Sequence, residues 1–315
     1  MQLECVVLGS GGMAPMPDRL LCSMALRLGG KTYLFDAGEG VQIGLKRAHL
    51  GLRGLDVIAI SHMHADHCLG LPGIIMLRAQ LDAPDPLTII GPLGIRDFVL
   101  AVQRSTDFYL NYPIHFIEWP AQADKIAVGP QLVYQDDIIS LRWAPLQHRR
   151  FCLGYRLQEH ARPGRFDPRK AQALGLAAGP QWGALQRGET VHNAQGQSIS
   201  PEQVLGPSRP GRVVGYTVDT RPCKNLIKLN KNSDLSLVDS MFLPSQQDHA
   251  SEKTHMTSTE AAAAMQQAGC RHLILSHLSP RHNDDDLHNM LDAARAIHSH
   301  VDLAEDGARY EVAFV

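Results

Sequence analysis

The sequence predicts an α/β fold, and three observations carry that prediction. Short β-branched apolar runs recur along the chain, each closed by a polar or glycine-bearing turn, as at residues 55–60 and 213–218. Amphipathic stretches of helical period, such as 41–49, 93–102 and 285–298, are interspersed with them. The histidines and carboxylates able to do chemistry fall at the ends of the apolar runs, where open α/β sheets place their ligands.

Composition narrows the class. At 315 residues the chain has room for one large domain or two ordinary ones, and a 44% hydrophobic content supplies a core. A net charge of −2 excludes a global polyelectrolyte field but leaves room for a local basic surface. Cys5, Cys22, Cys68, Cys152, Cys223 and Cys270 are scattered without a Cys-x-x-Cys pair, which reads as a reduced, cytoplasmic protein. The opening Met1-Gln2-Leu3-Glu4-Cys5-Val6-Val7-Leu8-Gly9 reads as a strand, since it lacks a basic leader and a cleavage site. No apolar stretch approaches the roughly 18 residues of a membrane span, so no membrane partner is expected.

Taken in order, the first turn is Gly9-Ser10-Gly11-Gly12-Met13-Ala14. It fits G-x-G-x-x-A, with Asp36 downstream, but Pro15 and Pro17 would interrupt the helix that a dinucleotide site requires. The glycines are expected instead to let the backbone pass close to a site. Residues 24–28 and 32–35, joined by Gly29-Gly30, form a hairpin pattern. It ends at Asp36, which can orient a ligating histidine or cap the helix at 41–49, two roles that can coexist.

The strand pattern at 55–60 leads into Ser61-His62-Met63-His64-Ala65-Asp66-His67-Cys68. Three imidazoles and a carboxylate within six residues suit Zn²⁺, Mn²⁺ or iron better than a thiolate-seeking ion. His62 and His64, two apart, can face one point from an extended loop, while Asp66 and His67 face a second as the chain turns helical. Two foci suggest a two-metal site. Cys68 is expected to pack behind it.

Further on, 71–81 reads as helix, 87–90 as strand and 93–102 as helix, and strands are expected at 114–119, 131–134 and 138–146. His148 follows the last, where a third ligand to the first metal is wanted. Residues 160–210, rich in Gly, Pro, Gln and Arg, show little apolar periodicity outside 170–176 and read as a long irregular segment. Residues 149–212 carry ten Lys and Arg against four Asp and Glu, so the positive charge of the chain is concentrated there. Such a stretch suits a grip on phosphate backbone, with Arg162, Arg165, Arg169 and Lys170 at its centre.

Order returns with a strand at 213–218 that ends in Asp219, a candidate bridging carboxylate. The next strand pattern, 234–238, ends at Asp239. His255 precedes Thr257-x-x-Glu260, a capping box that opens a helix continuing through 261–268. The strand at 273–275 ends in Ser276-His277, a candidate ligand to the second metal. Residues 309–315 read as a closing strand.

These residues carry a resemblance that runs nearly end to end. The His-x-His-x-Asp-His run, Phe35-Asp36-Ala37-Gly38-Glu39-Gly40, Asp219-Thr220-Arg221-Pro222 and Leu275-Ser276-His277 are similar to the metallo-β-lactamase superfamily. Within it, Gly154-Tyr155-Arg156, Arg162-Pro163-Gly164-Arg165-Phe166-Asp167 and Leu205-Gly206-Pro207 resemble the short form of the ribonuclease Z family, the tRNA 3′-processing endonucleases. The resemblance implies a four-layer αβ/βα sandwich spanning residues 1–315, with a protruding tRNA-binding arm inserted at about 160–210. It implies two zinc ions, with Mn²⁺ or iron as substitutes. His62, His64 and His148 would hold the first, Asp66, His67 and His277 the second, and Asp219 would bridge them. Asp66 would also orient or deprotonate the attacking water, and His255 would protonate the leaving oxygen. The implied partners are a tRNA precursor and a second copy of the chain.

The sequence departs from that family at three places. Val238-Asp239-Ser240-Met241 stands where the family has His-Glu-Ala-Thr, so Asp239 replaces the glutamate that would orient His255. The loop Pro15-Met16-Pro17-Asp18-Arg19-Leu20 keeps the arginine and lacks the following asparagine. Val218 replaces a glycine before the bridging aspartate. These changes mark a divergent branch. The competing expectation is a hydrolase of a small phosphodiester, thioester or lactone on the same metals, against which the basic segment argues. A di-iron redox protein or a silent RNA-binding relative is a third, disfavoured because all seven hydrolase ligands are present.

Overall fold

In the computed structural model, which describes residues 1–119 and 129–314, the β-branched runs pair into two seven-stranded sheets and one small ribbon. Six strands come first in the chain: β1 (Leu3–Gly9), β2 (Ser23–Leu28), β3 (Lys31–Phe35), β4 (Leu55–Ala59), β5 (Leu87–Gly91) and β6 (Ile114–Glu118). There follow β7 (Gln131–Gln135), β8 (Ile139–Pro145), β9 (Leu153–Glu159) and the ribbon strands β10 (Val191–His192) and β11 (Ser198–Ile199). The last are β12 (Val213–Thr217), β13 (Leu235–Asp239), β14 (Leu273–Ser276), β15 (Val301–Leu303) and β16 (Arg309–Glu311).

One sheet runs β16-β1-β2-β3-β4-β5-β6 and the other β15-β14-β13-β12-β9-β8-β7. In the first, β16, β1, β2 and β3 pair antiparallel and β3 to β6 parallel. In the second, β12 to β15 are parallel and β9 joins β12 antiparallel. The two halves of the chain thus repeat one plan, an antiparallel portion followed by a parallel one.

Side-chain alternation along the strands sorts the core into layers. Leu3, Cys5 and Val7 of β1 face Tyr155, Leu157, Tyr216 and Ile274 of the other sheet, forming the central layer. Val6 and Leu8 point the opposite way and pack with Val41, Leu45, Leu71 and Ile75 from the helices Val41–Arg47 and Leu71–Arg78. On the far side, Val238, Leu273 and Leu275 pack under Ala261, Met265 and Ala294 of the helices Ser258–Ala268 and Asp284–Arg295. The result is helix, sheet, sheet, helix, the four-layer sandwich expected from the resemblance.

Three expectations are corrected. Strand β9 was not foreseen, although Leu153, Tyr155 and Leu157 alternate inward along it; Gly154 and Arg156 between them obscure the run. Asp36 caps no helix: the helix Val41–Arg47 starts from Gly40 at φ 88° with no side-chain cap. The closing strand is confined to Arg309–Glu311.

A fourth correction concerns Glu159–Arg212, which forms a compact unit of its own. The segment is ordered, not irregular. Prolines open its helices Pro168–Ala173, Pro180–Gln186 and Pro201–Val204, where the missing N–H costs nothing. Asp167 accepts from the amides of Arg169 and Lys170, and Ser200 with Gln203 makes a capping box. Ala171, Leu176, Leu185, Val191, Ile199 and Val204 form its core, with Phe166 and Trp182 5.1 Å apart beside it. These apolar residues come from several short elements, so no single period reveals them. At its ends the buried Arg212 guanidinium clasps Glu159, Nε to Oε2 at 2.8 Å and Nη2 to Oε1 at 3.0 Å.

Glycines decide how closely the loops that bear chemistry can pack. A Cβ on Gly70 would lie 2.2 Å from the Gly38 carbonyl oxygen and 2.9 Å from that of Ala37. That closeness permits the bonds Gly70 N–H to Ala37 O and Ala37 N–H to His67 O, both 2.8 Å, which tie the His-rich loop to the turn after β3. Gly70→Ala is therefore expected to destabilise the protein by about 1–3 kcal/mol through overpacking. Gly51→Ala, where a Cβ meets nothing within 4 Å, serves as the neutral comparison. Equal thermal unfolding midpoints for the two variants would refute this account.

Candidate metal centre

The His-rich loop is extended at first and then closes into one helical turn. His64 has φ −77° and ψ 149°, and Ala65–Cys68 forms the turn. This geometry gives the loop its two faces. His62, His64, His148 and Asp219 offer ligand atoms that all lie within 4.8 Å of one another, and so do Asp66, His67 and His277. Asp219 touches both groups. Its Oδ2 lies 3.2 Å from His62 Nε2 and 3.8 Å from His148 Nε2, while its Oδ1 lies 3.1 Å from His277 Nε2 and 3.4 Å from His67 Nε2. Strand ends far apart in sequence, after β4, β8, β12 and β14, supply these seven side chains.

Outward hydrogen bonds fix the ring orientations. His67 Nδ1 bonds Asp36 Oδ2 at 2.7 Å, and Asp36 also accepts from Ser61 N, Ser61 Oγ and Tyr216 OH. Because Ser61 Oγ donates to Asp36, it accepts at 3.0 Å from His62 Nδ1. His148 Nδ1 donates to Thr254 O at 3.1 Å. Each ring thereby spends Nδ1–H on the protein and turns an Nε2 lone pair inward, the arrangement metal-ligating histidines use. Cys68 is buried behind the loop, its Sγ on His64 O at 3.2 Å.

The backbone is strained where the shell is built. Asp36, Asp219 and His277 all follow strand ends and all adopt left-handed conformations, at φ 54°, 54° and 59°. The face of the His277 ring lies on Gly12, where a Cβ would come 2.6 Å from Nε2. Next to it, Met13 N–H donates to Asp66 Oδ2 at 2.8 Å. The glycine-rich first turn therefore works by close approach.

Protonation follows from burial and charge. Burial, then the neighbouring His62 and His148, lower the His64 pKa to about 4. Burial, with His67 beside it, lowers that of His62, and burial lowers that of His148, so all three are neutral at physiological pH. Burial opposes ionisation of Asp219, but the imidazoles of His277, His67 and His62 outweigh it and hold the carboxyl well below the usual range. Burial likewise opposes ionisation of Asp66, and His277 with His67 overcomes it. Burial disfavours a charged His67, yet Asp219 and Asp36 raise its pKa well above the ordinary value. The centre thus sets two ionised carboxylates, Asp66 and Asp219, beside neutral imidazoles at His62, His64 and His148.

Whether these residues fit a metal is tested by their unused atoms. His148 Nε2 and Asp219 Oδ1 are buried without a hydrogen-bond partner among the described residues. Such groups cost about 1–3 kcal/mol each when unsatisfied. A divalent cation would satisfy both, and the mixed imidazole and carboxylate donors suit zinc, manganese or iron.

His255 lies beside this centre, its ring stacked on His277 at 5.2 Å and 14°. Its Nδ1 bonds Asp239 Oδ2 at 2.8 Å, so the shorter aspartate reaches. Asp239 is itself held by Thr220 N–H at 2.9 Å and Met241 N–H at 3.1 Å. Burial works against a charged His255, but Asp239 prevails and raises its pKa to about 9. A cavity of about 400 Å³ opens over the centre, with Arg149, Lys253 and Arg281 among its basic lining and Met13, Met241 and Phe242 among its apolar lining.

The basic candidates of the 159–212 unit separate. Arg162 and Arg165 line a cleft of about 560 Å³ together with Phe166, Gln186 and Arg209. Arg169 and Lys170 are exposed on the helix Pro168–Ala173, outside that cleft. Arg209 escaped the sequence reading because it reaches the cleft only through its backbone pairing with Arg162. Ser61, Tyr216 and Thr254, which bond His62, Asp36 and His148 respectively, were missed too; a lone hydroxyl carries no sequence signal for that role.

Comparison with known proteins places these features in context. The chain is 41% identical over 314 residues to ribonuclease Z of Treponema pallidum, covering 100% of this chain and 99% of that one. It is 37% identical over 313 residues to ribonuclease Z of Salinibacter ruber, covering 99% and 95%. The crystal structure of the short form of human tRNase Z superposes with a TM-score of 0.72 at 22% identity, covering 99% of this chain and 100% of that one. A family model described as anti-Pycsar protein Apyc1 matches residues 3–93.

The bond network around Asp36 predicts a measurable effect on metal affinity. Asp36→Asn is expected to weaken zinc binding about 10- to 100-fold while far-ultraviolet circular dichroism stays that of the parent. Competition against a chromophoric chelator reads the affinity, and an unchanged value would remove Asp36 from the account.

Proposed function

Because the chain belongs to the ribonuclease Z family, we infer that it is a metal-dependent endoribonuclease that processes the 3′ ends of tRNA precursors. The observation that carries this reading is the single carboxylate, Asp219, shared by two groups of imidazoles at the floor of an open cavity. In our reading His62, His64 and His148 hold one ion, Asp66, His67 and His277 hold the other, and Asp219 bridges. Two zinc ions are the proposed occupants, with manganese or iron chemically admissible. Ions held there would acidify a water and neutralise charge on the phosphate's non-bridging oxygens.

The chain's own groups supply the rest. Asp66, kept ionised by its imidazole neighbours, accepts a hydrogen bond from the attacking water and orients it. Attack at phosphorus breaks the bond to the ribose 3′-oxygen. His255, its Nδ1 held by Asp239, delivers a proton from Nε2 to that oxygen. The tRNA then ends in a 3′-hydroxyl and the trailer begins with a 5′-phosphate. Arg149, Lys253 and Arg281 supply positive charge for the flanking phosphates.

The 159–212 unit is proposed to grip the body of the tRNA, with phosphates entering the cleft of Arg162, Arg165 and Arg209 and Arg169 and Lys170 adding charge nearby. Such contacts read shape and backbone without sequence. A homodimer, in which the unit of one subunit holds RNA cut by its partner, and a cytoplasmic location complete the proposal. No helix among the described residues is long and apolar enough to cross a membrane.

His64→Ala or Asp66→Ala is expected to abolish cleavage of a 3′-extended tRNA precursor while the thermal transition persists, and near-normal turnover would sink the two-metal assignment. Replacing residues 165–205 by a short linker tests the substrate. It is expected to spare hydrolysis of bis(p-nitrophenyl) phosphate and to destroy precursor cleavage; a natural small substrate would predict no loss of physiological activity. Arg165→Ala with Arg209→Ala is expected to flatten the logarithmic salt dependence of precursor binding by about 1 per arginine removed. An unchanged slope would take phosphates out of that cleft.

A further inference from the structure

The three residues Asp219-Thr220-Arg221 do more than deliver a bridging carboxylate. Thr220 N–H holds Asp239, the partner of His255. The backbone of Arg221 pairs with Gln147, N–H to O at 2.8 Å, next to His148. Its side chain reaches elsewhere: Nη1 donates to the His255 carbonyl oxygen at 2.6 Å. The same guanidinium is locked by Glu260, Nη1 to Oε2 at 2.8 Å and Nη2 to Oε1 at 2.5 Å. Arg221 is not among the residues lining the cavity.

His255 needs such a hold. It lies between two helices, just after Thr254 in a left-handed conformation at φ 62° and just before the capping box of Ser258–Ala268. Its N–H bonds Ala250 O at 2.9 Å, and its carbonyl falls outside both helices. A ring pinned only at Nδ1 can pivot about that bond. A second restraint on the backbone fixes where Nε2 points. Glu260 belongs to the device, because as the third residue of its helix it also accepts from Thr257 N–H at 3.0 Å. The planar fork of arginine, held by two carboxylate oxygens, is a stiffer lever than lysine would be.

We propose that Arg221, locked by Glu260, is a positioning residue for proton transfer: it sets the His255 ring against the departing 3′-oxygen. This rests on the reading of His255 as the proton donor. A bare stabilising ion pair would look alike in the structure, so the test must read leaving-group dependence. A ribose 3′-alkoxide needs a proton to depart; p-nitrophenolate does not. Loss of aim at His255 therefore harms RNA cleavage more than hydrolysis of the nitrophenyl ester.

The experiment compares kcat on a 3′-extended tRNA precursor and on bis(p-nitrophenyl) phosphate for the metal-loaded full-length protein, with Arg221→Met, Glu260→Gln and His255→Ala. General acid catalysis contributes about 10²- to 10⁴-fold, so Arg221→Met is expected to lower the precursor-to-ester ratio about tenfold or more, with precursor KM little changed. Glu260→Gln, which keeps the shape but loses the charge and one of the two accepting oxygens, is expected to move the ratio the same way by less, and it serves if Arg221→Met folds poorly. Equal losses on both substrates in both variants would overturn the proposal and leave a structural pair. If His255→Ala lowers the ratio and the other two do not, Arg221 alone is ruled out. If His255→Ala leaves the ratio unchanged, the proton-donor reading falls and Arg221 falls with it.

Discussion

The carboxylate of Asp219 is the interaction on which the centre depends. It is buried, it is ionised, and it lies within 4 Å of four imidazole nitrogens from three separate chain segments. Burying a charge of that kind costs several kcal/mol unless opposite charge compensates it. Within the chain the compensation is partial: His62, His64 and His148 are neutral, while His67 has its pKa raised well above normal. A site so built favours cations, which explains why its electrostatics and its donor atoms point the same way.

Around that carboxylate the fold spends strain to gain aim. Left-handed residues at three strand ends, Asp36, Asp219 and His277, turn their side chains back over the sheet edges. The close approaches at Gly12, Gly38 and Gly70 admit no Cβ, so loops that would otherwise stand off reach the ligands. Three of the imidazoles are then fixed by a group behind them: Asp36 for His67, Ser61 for His62, Thr254 for His148. Rigid placement of this kind limits the reorganisation needed when charge develops during reaction.

The Asp219 centre and His255 are parts of one frame. Asp219 lies two residues past the end of β12, and the two residues after it hold Asp239 and the backbone of His255. Asp239 in turn ends β13, parallel to β12, so the register of two neighbouring strands sets the distance between the centre and the Asp239–His255 pair. That shared origin accounts for the tolerance of aspartate where the resembling family has glutamate. Backbone amides of Thr220 and Met241 pin the shorter side chain, and it still meets His255 Nδ1 at 2.8 Å.

The sequence by itself determined what is local. Apolar runs with period two, the polar residues that end them and the capping box at Thr257 and Glu260 marked most strands, several helices and the seven side chains of the centre. Those signals are short-range and survive without a partner. Tertiary structure decided the rest. Whether Asp36 caps a helix or backs a ligand depended on Gly40 taking the cap position and on Tyr216, 180 residues away, donating to Asp36. The order within 159–212 arose from apolar residues on several short elements that share a core only once folded. The roles of Arg209 and Arg221 rest on partners 46 and 34 residues distant, with no periodicity to announce them. Pattern records which face of an element is buried; which distant group meets a given side chain is fixed only when the layers close.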